Sequence, residues 1–173
     1  ARIKKGLKVA PIAINISPIH FYNDLFLEQF KENIKDYNVP LHLLKLELTE
    51  SIELLDFTKA KEILTELKQL GIDCSIDDFG VGYSSLSYLP KLPFTEIKID
   101  RSFISALNDP GMYAVIQTII QLASNLQMKA VAEGIETLEQ YVLLKNMGCH
   151  IGQGYFLHKP MPLQVAGALL DTL

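Results

Sequence analysis

Polar and ionisable residues recur near the ends of successive apolar segments of this chain. They are Asn15, Glu47, Asp77, Asp78, Lys98 and Glu133. Four carboxylates and an amide oxygen in one confined place need compensating positive charge. Oxygen ligands of this kind favour Mg²⁺, Mn²⁺ or Ca²⁺ over zinc or copper. The adjacent pair Asp77 and Asp78 suits a bridge between two ions, the arrangement of two-metal phosphoester hydrolysis.

Each of these motifs also has a plainer interpretation. Glu47 and its neighbours are typical of a strand that runs into a helix cap, and Asp77-Asp78 before Phe-Gly is typical of a turn. Lys98 is either an ion-paired residue or a Schiff-base lysine of a barrel lyase. The surplus of carboxylates disfavours the lyase, because anionic neighbours keep an amine protonated. The recurrence of polar groups at the same place in successive strands favours the metal interpretation.

Strand-like and helix-like segments alternate along the chain. Strands are predicted over residues 9–17, 43–50, 73–78, 96–100, 129–133 and 150–156, and helices over 21–36, 57–70, 111–126, 138–147 and 162–172. Asp56 is a predicted N-cap, and Thr137 with Gln140 predicts a capping box. Gly71 and Gly148 are predicted helix stops.

This alternation predicts an α/β fold with a parallel sheet, either an open doubly wound sheet or a closed (β/α)8 barrel. Three segments, 10–17, 44–49 and 96–100, have two unlike faces, one of isoleucine or leucine and one mainly polar. An open parallel sheet is covered by helices on both sides and is apolar on both faces. A barrel strand turns its other face to the interior, where polar groups near the carboxyl end serve a site. The pattern therefore favours the barrel.

Composition excludes several classes of protein. The chain has 173 residues, is 49% hydrophobic and carries a net charge of −4, which argues against disorder and against binding to duplex nucleic acid. No apolar run approaches the length of a membrane span, and residues 1–10 lack the apolar stretch of a signal peptide. The two cysteines form no CxxC pair, which fits a reduced, cytoplasmic setting without membrane contact by this segment.

Together the motifs resemble the EAL domain family of cyclic di-GMP phosphodiesterases. The matching stretches are residues 15–17 (Asn-Ile-Ser), 47–51 (Glu-Leu-Thr-Glu-Ser), 77–86 (Asp-Asp-Phe-Gly-Val-Gly-Tyr-Ser-Ser-Leu), 97–103 (Ile-Lys-Ile-Asp-Arg-Ser-Phe), 131–137 (Val-Ala-Glu-Gly-Ile-Glu-Thr), 153–155 (Gln-Gly-Tyr) and 159–160 (Lys-Pro). They follow the family order across nearly the whole chain.

The resemblance implies a TIM-like barrel in which Mg²⁺ or Mn²⁺ ions activate water to hydrolyse cyclic di-GMP to linear pGpG. Asn15, Glu47 and Asp77 would bind the first metal, and Asp77, Asp78 and Glu133 the second. Lys98 would hold the nucleophilic water or stabilise charge on the phosphate. Glu133 has the alternative role of general base in the family.

The resemblance also implies supporting residues and partners. Glu50 would anchor the loop at residues 79–86, through which family members form homodimers, while Glu136 and Gln153 would support the site. A sensor, receiver or GGDEF domain is expected upstream in the parent protein. Val81 stands where the family commonly has Thr, so the loop lacks one hydroxyl group.

The Glu-Ala-Leu signature that names the family is not among these residues. A (β/α)8 barrel typically needs about 250 residues, and only six strands and five helices are predicted here. The expectation is therefore a single EAL-type domain over residues 1–173, truncated at its N-terminus, with one further metal ligand upstream. The fragment alone is expected to be inactive or nearly so. The alternative is a catalytically silent EAL-type receptor or regulatory domain for cyclic di-GMP.

Overall fold

Six parallel strands form one sheet in a computed structural model, which describes residues 2–37, 40–50, 56–82 and 86–172. The strand bounds are Ile12–Ile16 (β1), Leu44–Thr49 (β2), Asp73–Phe79 (β3), Glu96–Ile99 (β4), Lys129–Ala132 (β5) and Ile151–Gly152 (β6). Each strand pairs with the one before it in the chain. A doubly wound sheet would reverse its strand order at a switch point, so the unbroken order confirms the prediction of a barrel-type arrangement.

α-Helices lie between most consecutive strands; between β3 and β4 the described residues contain only a short 3₁₀ helix, Leu89–Lys91. The described residues contain seven α-helices, Pro18–Phe21 (α1), Phe26–Tyr37 (α2), Phe57–Gln69 (α3), Arg101–Ser105 (α4), Pro110–Asn125 (α5), Leu138–Asn146 (α6) and Leu163–Thr172 (α7). The sequence predicted five helices. The structure has two separate helices, α1 and α2, where one was predicted over residues 21–36, and it adds the short α4, which was not predicted. The break between α1 and α2 is an Asn turn, in which Asn23 Oδ1 accepts a hydrogen bond from the Leu25 N–H at 2.9 Å.

The predicted helix caps are confirmed. Asp56 caps α3 by accepting a hydrogen bond from the Lys59 N–H at 3.0 Å. Thr137 and Gln140 form the reciprocal capping box that begins α6. Among the described helices, none combines the length and apolar character that crossing a bilayer requires.

Two strands are shorter than the sequence predicts. β1 begins at Ile12, where its pairing with Leu44 begins, and not at residue 9. β6 has only two residues. The Gln153 N–H still donates to the Ala132 carbonyl at the end of β5, but the chain then turns back onto Ile135, which bonds to Gln153 and Phe156.

The two faces of the central strands have the unlike environments that the barrel pattern predicts. Leu46 and Leu48 on β2 and Ile97 and Ile99 on β4 are fully buried in the main hydrophobic core. On β1 the outcome differs, since Ile12 is 62% exposed. β1 is at one edge of the six-stranded order and has a neighbour on one side only among the described strands.

Cys74 is buried on β3, and burial raises the pKa of its thiol to about 12. Because the thiolate is the reactive species, we expect negligible alkylation of Cys74 by iodoacetamide at pH 8 in the folded protein. The measurement is mass spectrometry of the peptide that contains Cys74, with urea-unfolded protein as the control for full labelling. Labelling of the folded protein at the rate of the unfolded one would contradict this expectation.

Candidate functional site

The polar residues singled out in the sequence lie towards the carboxyl ends of the strands. In the strand register Asn15 on β1 is the partner of Glu47 on β2, and Thr49 on β2 is the partner of Asp77 on β3. Glu133 directly follows β5, and its backbone N–H donates to the Ile99 carbonyl at the end of β4 at 3.1 Å. Parallel strands therefore bring these side chains to one end of the sheet, as the sequence predicts.

Lys98 lies at the centre of this group and contacts three carboxylates. Its Nζ is 2.7 Å from Glu47 Oε2, 2.8 Å from Asp77 Oδ1 and 2.8 Å from Glu133 Oε1. The Lys98 side chain is only 6% exposed, and those of its partners are 15–17% exposed. Short charge-assisted hydrogen bonds from one ammonium on β4 thus reach β2, β3 and the residue that follows β5, and they fix the relative positions of these strands.

The protonation state of Lys98 follows from this environment. Burial by itself lowers the pKa of the amine, but hydrogen bonds to Asp77, Glu133 and Glu47 outweigh burial and raise the pKa above its ordinary value. The group is therefore an ammonium at neutral pH. An amine that stays protonated is a poor nucleophile, so the geometry disfavours the Schiff-base lyase.

Asp77, Asp78 and Glu133 form a carboxylate cluster that could hold a metal ion. One oxygen from each lies within 4.8 Å of the others. Asp78 has φ 54°, in the left-handed region that aspartate tolerates better than most residues. Burial and then the charge of Asp77 raise the pKa of Asp78, and burial likewise raises that of Glu133 despite the contact with Lys98. A cation would relieve both effects.

The remaining proposed ligands are connected to this cluster less directly. Glu47 reaches it through the shared ammonium of Lys98. Asn15 is linked by strand register alone, as the partner of Glu47, and it is exposed. The structure thus brings the residues expected to bind the second metal, Asp77, Asp78 and Glu133, closer together than those expected to bind the first, Asn15, Glu47 and Asp77.

Glu50 contacts the loop that follows β3. Its carboxylate is buried, and Oε2 accepts a hydrogen bond from the Gly80 N–H at 2.8 Å. The other oxygen, Oε1, has no hydrogen-bond partner among the described residues. A Cβ on Gly82 would lie 3.2 Å from it. These contacts support the predicted role of Glu50 as an anchor for this loop; residues 83–85 of the loop lie outside the described residues, as does Ser51.

Beside the cluster is an open cavity of about 210 Å³, which Glu133, Glu136 and Gln153 line together with Arg101 and Tyr155. Glu136 Oε1 accepts a hydrogen bond from Arg101 Nη2 at 2.6 Å. The sequence interpretation included Glu136 and Gln153 but missed Arg101. Its position two residues after the strand that carries Lys98 was the available signal.

A second pair of opposite charges lies on the interior face below the site. Lys45 on β2 forms an ion pair with Glu96 on β4, and both side chains are largely buried. The sequence interpretation placed these residues on the polar face but did not pair them. The interior therefore contains positive charge in two layers, of which only the upper one touches the carboxylate cluster.

Sequence relatives share most of this chain. It is 42% identical over 151 residues to the cyclic di-GMP phosphodiesterase PA2567 of Pseudomonas aeruginosa, covering 87% of this chain and 26% of that protein. It is 34% identical over 161 residues to the oxygen sensor protein DosP of Escherichia coli, covering 92% and 20% respectively. The chain thus spans about a quarter or less of these curated relatives.

Solved structures with the same fold include enzymes bound to cyclic di-GMP. The PaMucR phosphodiesterase in complex with c-di-GMP has a TM-score of 0.86 and 39% identity, over 90% of this chain and 64% of that one. The EAL domain of Mycobacterium smegmatis DcpA has a TM-score of 0.88 and 37% identity, over 94% and 73%. The family model described as EAL domain matches residues 1–160. Fold, motif order and family model agree, and the chain belongs to the EAL domain family.

Proposed function

We propose that the protein containing this chain is a metal-dependent phosphodiesterase that hydrolyses cyclic di-GMP to pGpG. The observation that carries the proposal is the cluster of Asp77, Asp78 and Glu133, which have oxygens within 4.8 Å of one another. Two of the three, Asp77 and Glu133, contact the buried ammonium of Lys98. Relatives with this fold are named cyclic di-GMP phosphodiesterases, and one is solved with c-di-GMP.

The side chains of the site fit a pair of divalent cations. All the donors are oxygens, and the carboxylates outnumber the one ammonium that contacts them. This set suits Mg²⁺ or Mn²⁺. We assign Asn15, Glu47 and Asp77 to a first ion and Asp77, Asp78 and Glu133 to a second. When bound, such ions would neutralise phosphate charge and lower the pKa of a water molecule.

Lys98 and Glu133 are the residues that we assign to the chemistry itself. Lys98 is an ammonium at neutral pH and is held at the carboxylates by three hydrogen bonds, so its charge would stabilise negative charge that develops on a phosphate oxygen next to it. Glu133 is held beside this ammonium, and we favour a role as a metal ligand over general base. Lys98 costs no reorganisation during the reaction because its position is already fixed.

We also propose that the EAL domain extends upstream of this chain and that its signature glutamate is there. The exposed Ile12 on the edge strand supports this, since a further strand and helix would cover it. So does the 73% coverage of the solved DcpA EAL domain. An upstream sensor or GGDEF domain, a homodimer through the loop at residues 79–86 and a cytoplasmic location complete the proposal.

Conversion of cyclic di-GMP to pGpG by the full-length protein, in Mg²⁺ or Mn²⁺, tests this function. We expect Asp78→Asn to lower turnover at least 100-fold, because it removes charge from the metal cluster, and Glu47→Ala to abolish it. Asp73→Asn is the matched control, since Asp73 is exposed at the opposite end of the same strand. Chromatography of the products gives the rates. Residues 1–173 alone should show little or no turnover.

The second candidate is a receptor that binds cyclic di-GMP without hydrolysing it. Calorimetry with the same protein distinguishes the two functions. Binding without turnover in either metal would support the receptor and contradict the enzyme. A non-acidic residue at the upstream signature position would point the same way.

A further inference from the structure

The segment from Glu133 to Glu136 is held by backbone hydrogen bonds along most of its length. The Glu133 N–H donates to the Ile99 carbonyl at 3.1 Å, and the Ile135 N–H donates to the Gln153 carbonyl at 3.0 Å. The Glu136 N–H donates to Gln140 Oε1 at 2.8 Å. The remaining residue of the segment, Gly134, lies under the side chain of Arg101.

Arg101 closes over Gly134. A Cβ on Gly134 would lie 2.3 Å from Arg101 Cγ, 2.7 Å from its Cβ and 2.9 Å from its Cδ. The aliphatic stem of the arginine therefore occupies the space that a side chain would need. Gly134 also has φ +70°, a conformation that glycine adopts without strain.

The guanidinium group of Arg101 extends the same contact to the far end of the segment. Nη2 donates to Glu136 Oε1 at 2.6 Å, and both side chains are exposed, Arg101 by 63% and Glu136 by 45%. Arg101 begins α4, two residues after Ile99, whose carbonyl holds Glu133. One short stretch of chain, from the end of β4 into α4, thus contacts three of the four residues.

We propose that Arg101 is a positioning residue for Glu133. It fixes the backbone between Glu133 and Glu136 before any ligand binds, so that the Glu133 carboxylate is already directed at Asp77 and Asp78. The inference rests on the proposed function to the extent that this cluster binds metal. Its physical basis is preorganisation, since residues that orient a ligand side chain typically change metal affinity 10–100-fold.

The competing role for Arg101 is direct contact with the nucleotide, because the cavity that it lines with Gln153 and Tyr155 is open to solvent. The two roles differ in their readouts. A residue that binds substrate changes KM and leaves metal affinity and loop exchange unchanged. A residue that positions Glu133 changes metal affinity and kcat and leaves KM within about twofold.

The test compares Arg101→Ala, Arg101→Lys and Arg101→Met in the full-length protein, with Lys31→Ala as the matched control. Lys31 forms a partly exposed ion pair with Glu66 between α2 and α3, among residues that take no part in the site. Mn²⁺ affinity is measured by calorimetry, and amide exchange at Ile135 and Glu136 by mass spectrometry without metal. Turnover of cyclic di-GMP gives kcat and KM.

We expect Arg101→Ala to weaken Mn²⁺ binding roughly 10-fold and to speed exchange of both amides, while Lys31→Ala changes neither. Arg101→Lys keeps the stem and a cation, so it should restore Mn²⁺ affinity to within about threefold of the unaltered protein. Unchanged Mn²⁺ affinity and exchange in Arg101→Ala, or an effect on KM alone, would overturn the proposal.

If Arg101→Ala does not fold, Arg101→Met decides. It keeps the stem and loses the bond to Glu136, so faster exchange at Glu136 supports the proposal and unchanged exchange overturns it. Exchange needs neither metal nor substrate. A protein that fails to hydrolyse cyclic di-GMP would contradict the proposed function, while its amide exchange would still show whether Arg101 holds the segment.

Discussion

Replacing Lys98 with methionine should lower the free energy of unfolding of the metal-free protein at pH 7 by about 3–5 kcal/mol. The substitution keeps most of the side-chain volume but leaves Glu47, Asp77 and Glu133 without the ammonium that they share. Uncompensated carboxylates that are largely buried repel one another and have lost part of their hydration. Denaturant unfolding followed by circular dichroism measures the change.

The loss of stability in Lys98→Met should depend on pH and on bound metal. The raised pKa of Lys98 means that its stabilising effect is present throughout the neutral range and is lost only as the pH rises above the ordinary lysine value. In Lys98→Met the loss of stability should shrink as the pH falls, because burial raises the pKa of Glu133 and protonation of this carboxyl removes part of the repulsion. Added Mn²⁺ should also restore part of the stability.

Turnover distinguishes the chemical role of Lys98 from its structural role. With Mn²⁺ at saturation, we expect Lys98→Met to lower kcat by roughly 10²–10³-fold, the usual cost of removing one group that stabilises charge in the transition state. The control for stability is Lys31→Met, which breaks a partly exposed ion pair elsewhere. Its free energy of unfolding should stay within about 0.5 kcal/mol of that of the unaltered protein. Full stability of Lys98→Met at pH 7 would refute this account of the buried ammonium.

Gly154→Ala is the second substitution for which we expect a large effect. A Cβ at this position would lie 2.2 Å from both the nitrogen and the oxygen of Ile135. These atoms are backbone and are already hydrogen-bonded, the N–H to the Gln153 carbonyl and the oxygen to the Phe156 N–H. Relief of the clash must therefore break at least one of these bonds.

We expect Gly154→Ala to lower the free energy of unfolding by about 3 kcal/mol or more, through overpacking and lost hydrogen bonds. Gly148→Ala is the control, because Gly148 has φ +83° but a Cβ added there would have no described atom within 4 Å. Its cost of about 1–2 kcal/mol would come from backbone strain alone. A larger loss for Gly148→Ala than for Gly154→Ala, in the same unfolding experiment, would show that close contact is not the dominant cost.

The fold was predictable where local pattern and tertiary structure agree. β2 to β5 differ from their predicted bounds by one residue at each end or less, because alternating faces and capping residues are local signals. β6 was predicted over seven residues and has two, since the return of the chain onto Ile135 is a long-range contact. The break at Asn23 was an available turn signal that helical spacing masked.

The candidate site was predictable as a set of residues but not as a geometry. The alternation of faces brings polar groups to one end of the strands, and the structure places them there. The alternation does not reveal that a single ammonium contacts three carboxylates, because that depends on side-chain reach across strands. Arg101 was missed because its contacts with Gly134 and Glu136 join residues far apart in the chain, and no local pattern pairs residues at that separation.

The two ion pairs between β2 and β4, Lys45–Glu96 and Glu47–Lys98, also favour one alignment of these strands over the others. β2 presents Lys45 and then Glu47, whereas β4 presents Glu96 and then Lys98, so each charge meets its opposite only in the native register. Sliding β4 by two residues, the smallest slip that keeps its isoleucine side on the core, would set lysine against lysine or glutamate against glutamate. Hydrophobic burial alone does not distinguish these alignments. The charge order penalises the wrong ones during folding, before any ligand is bound.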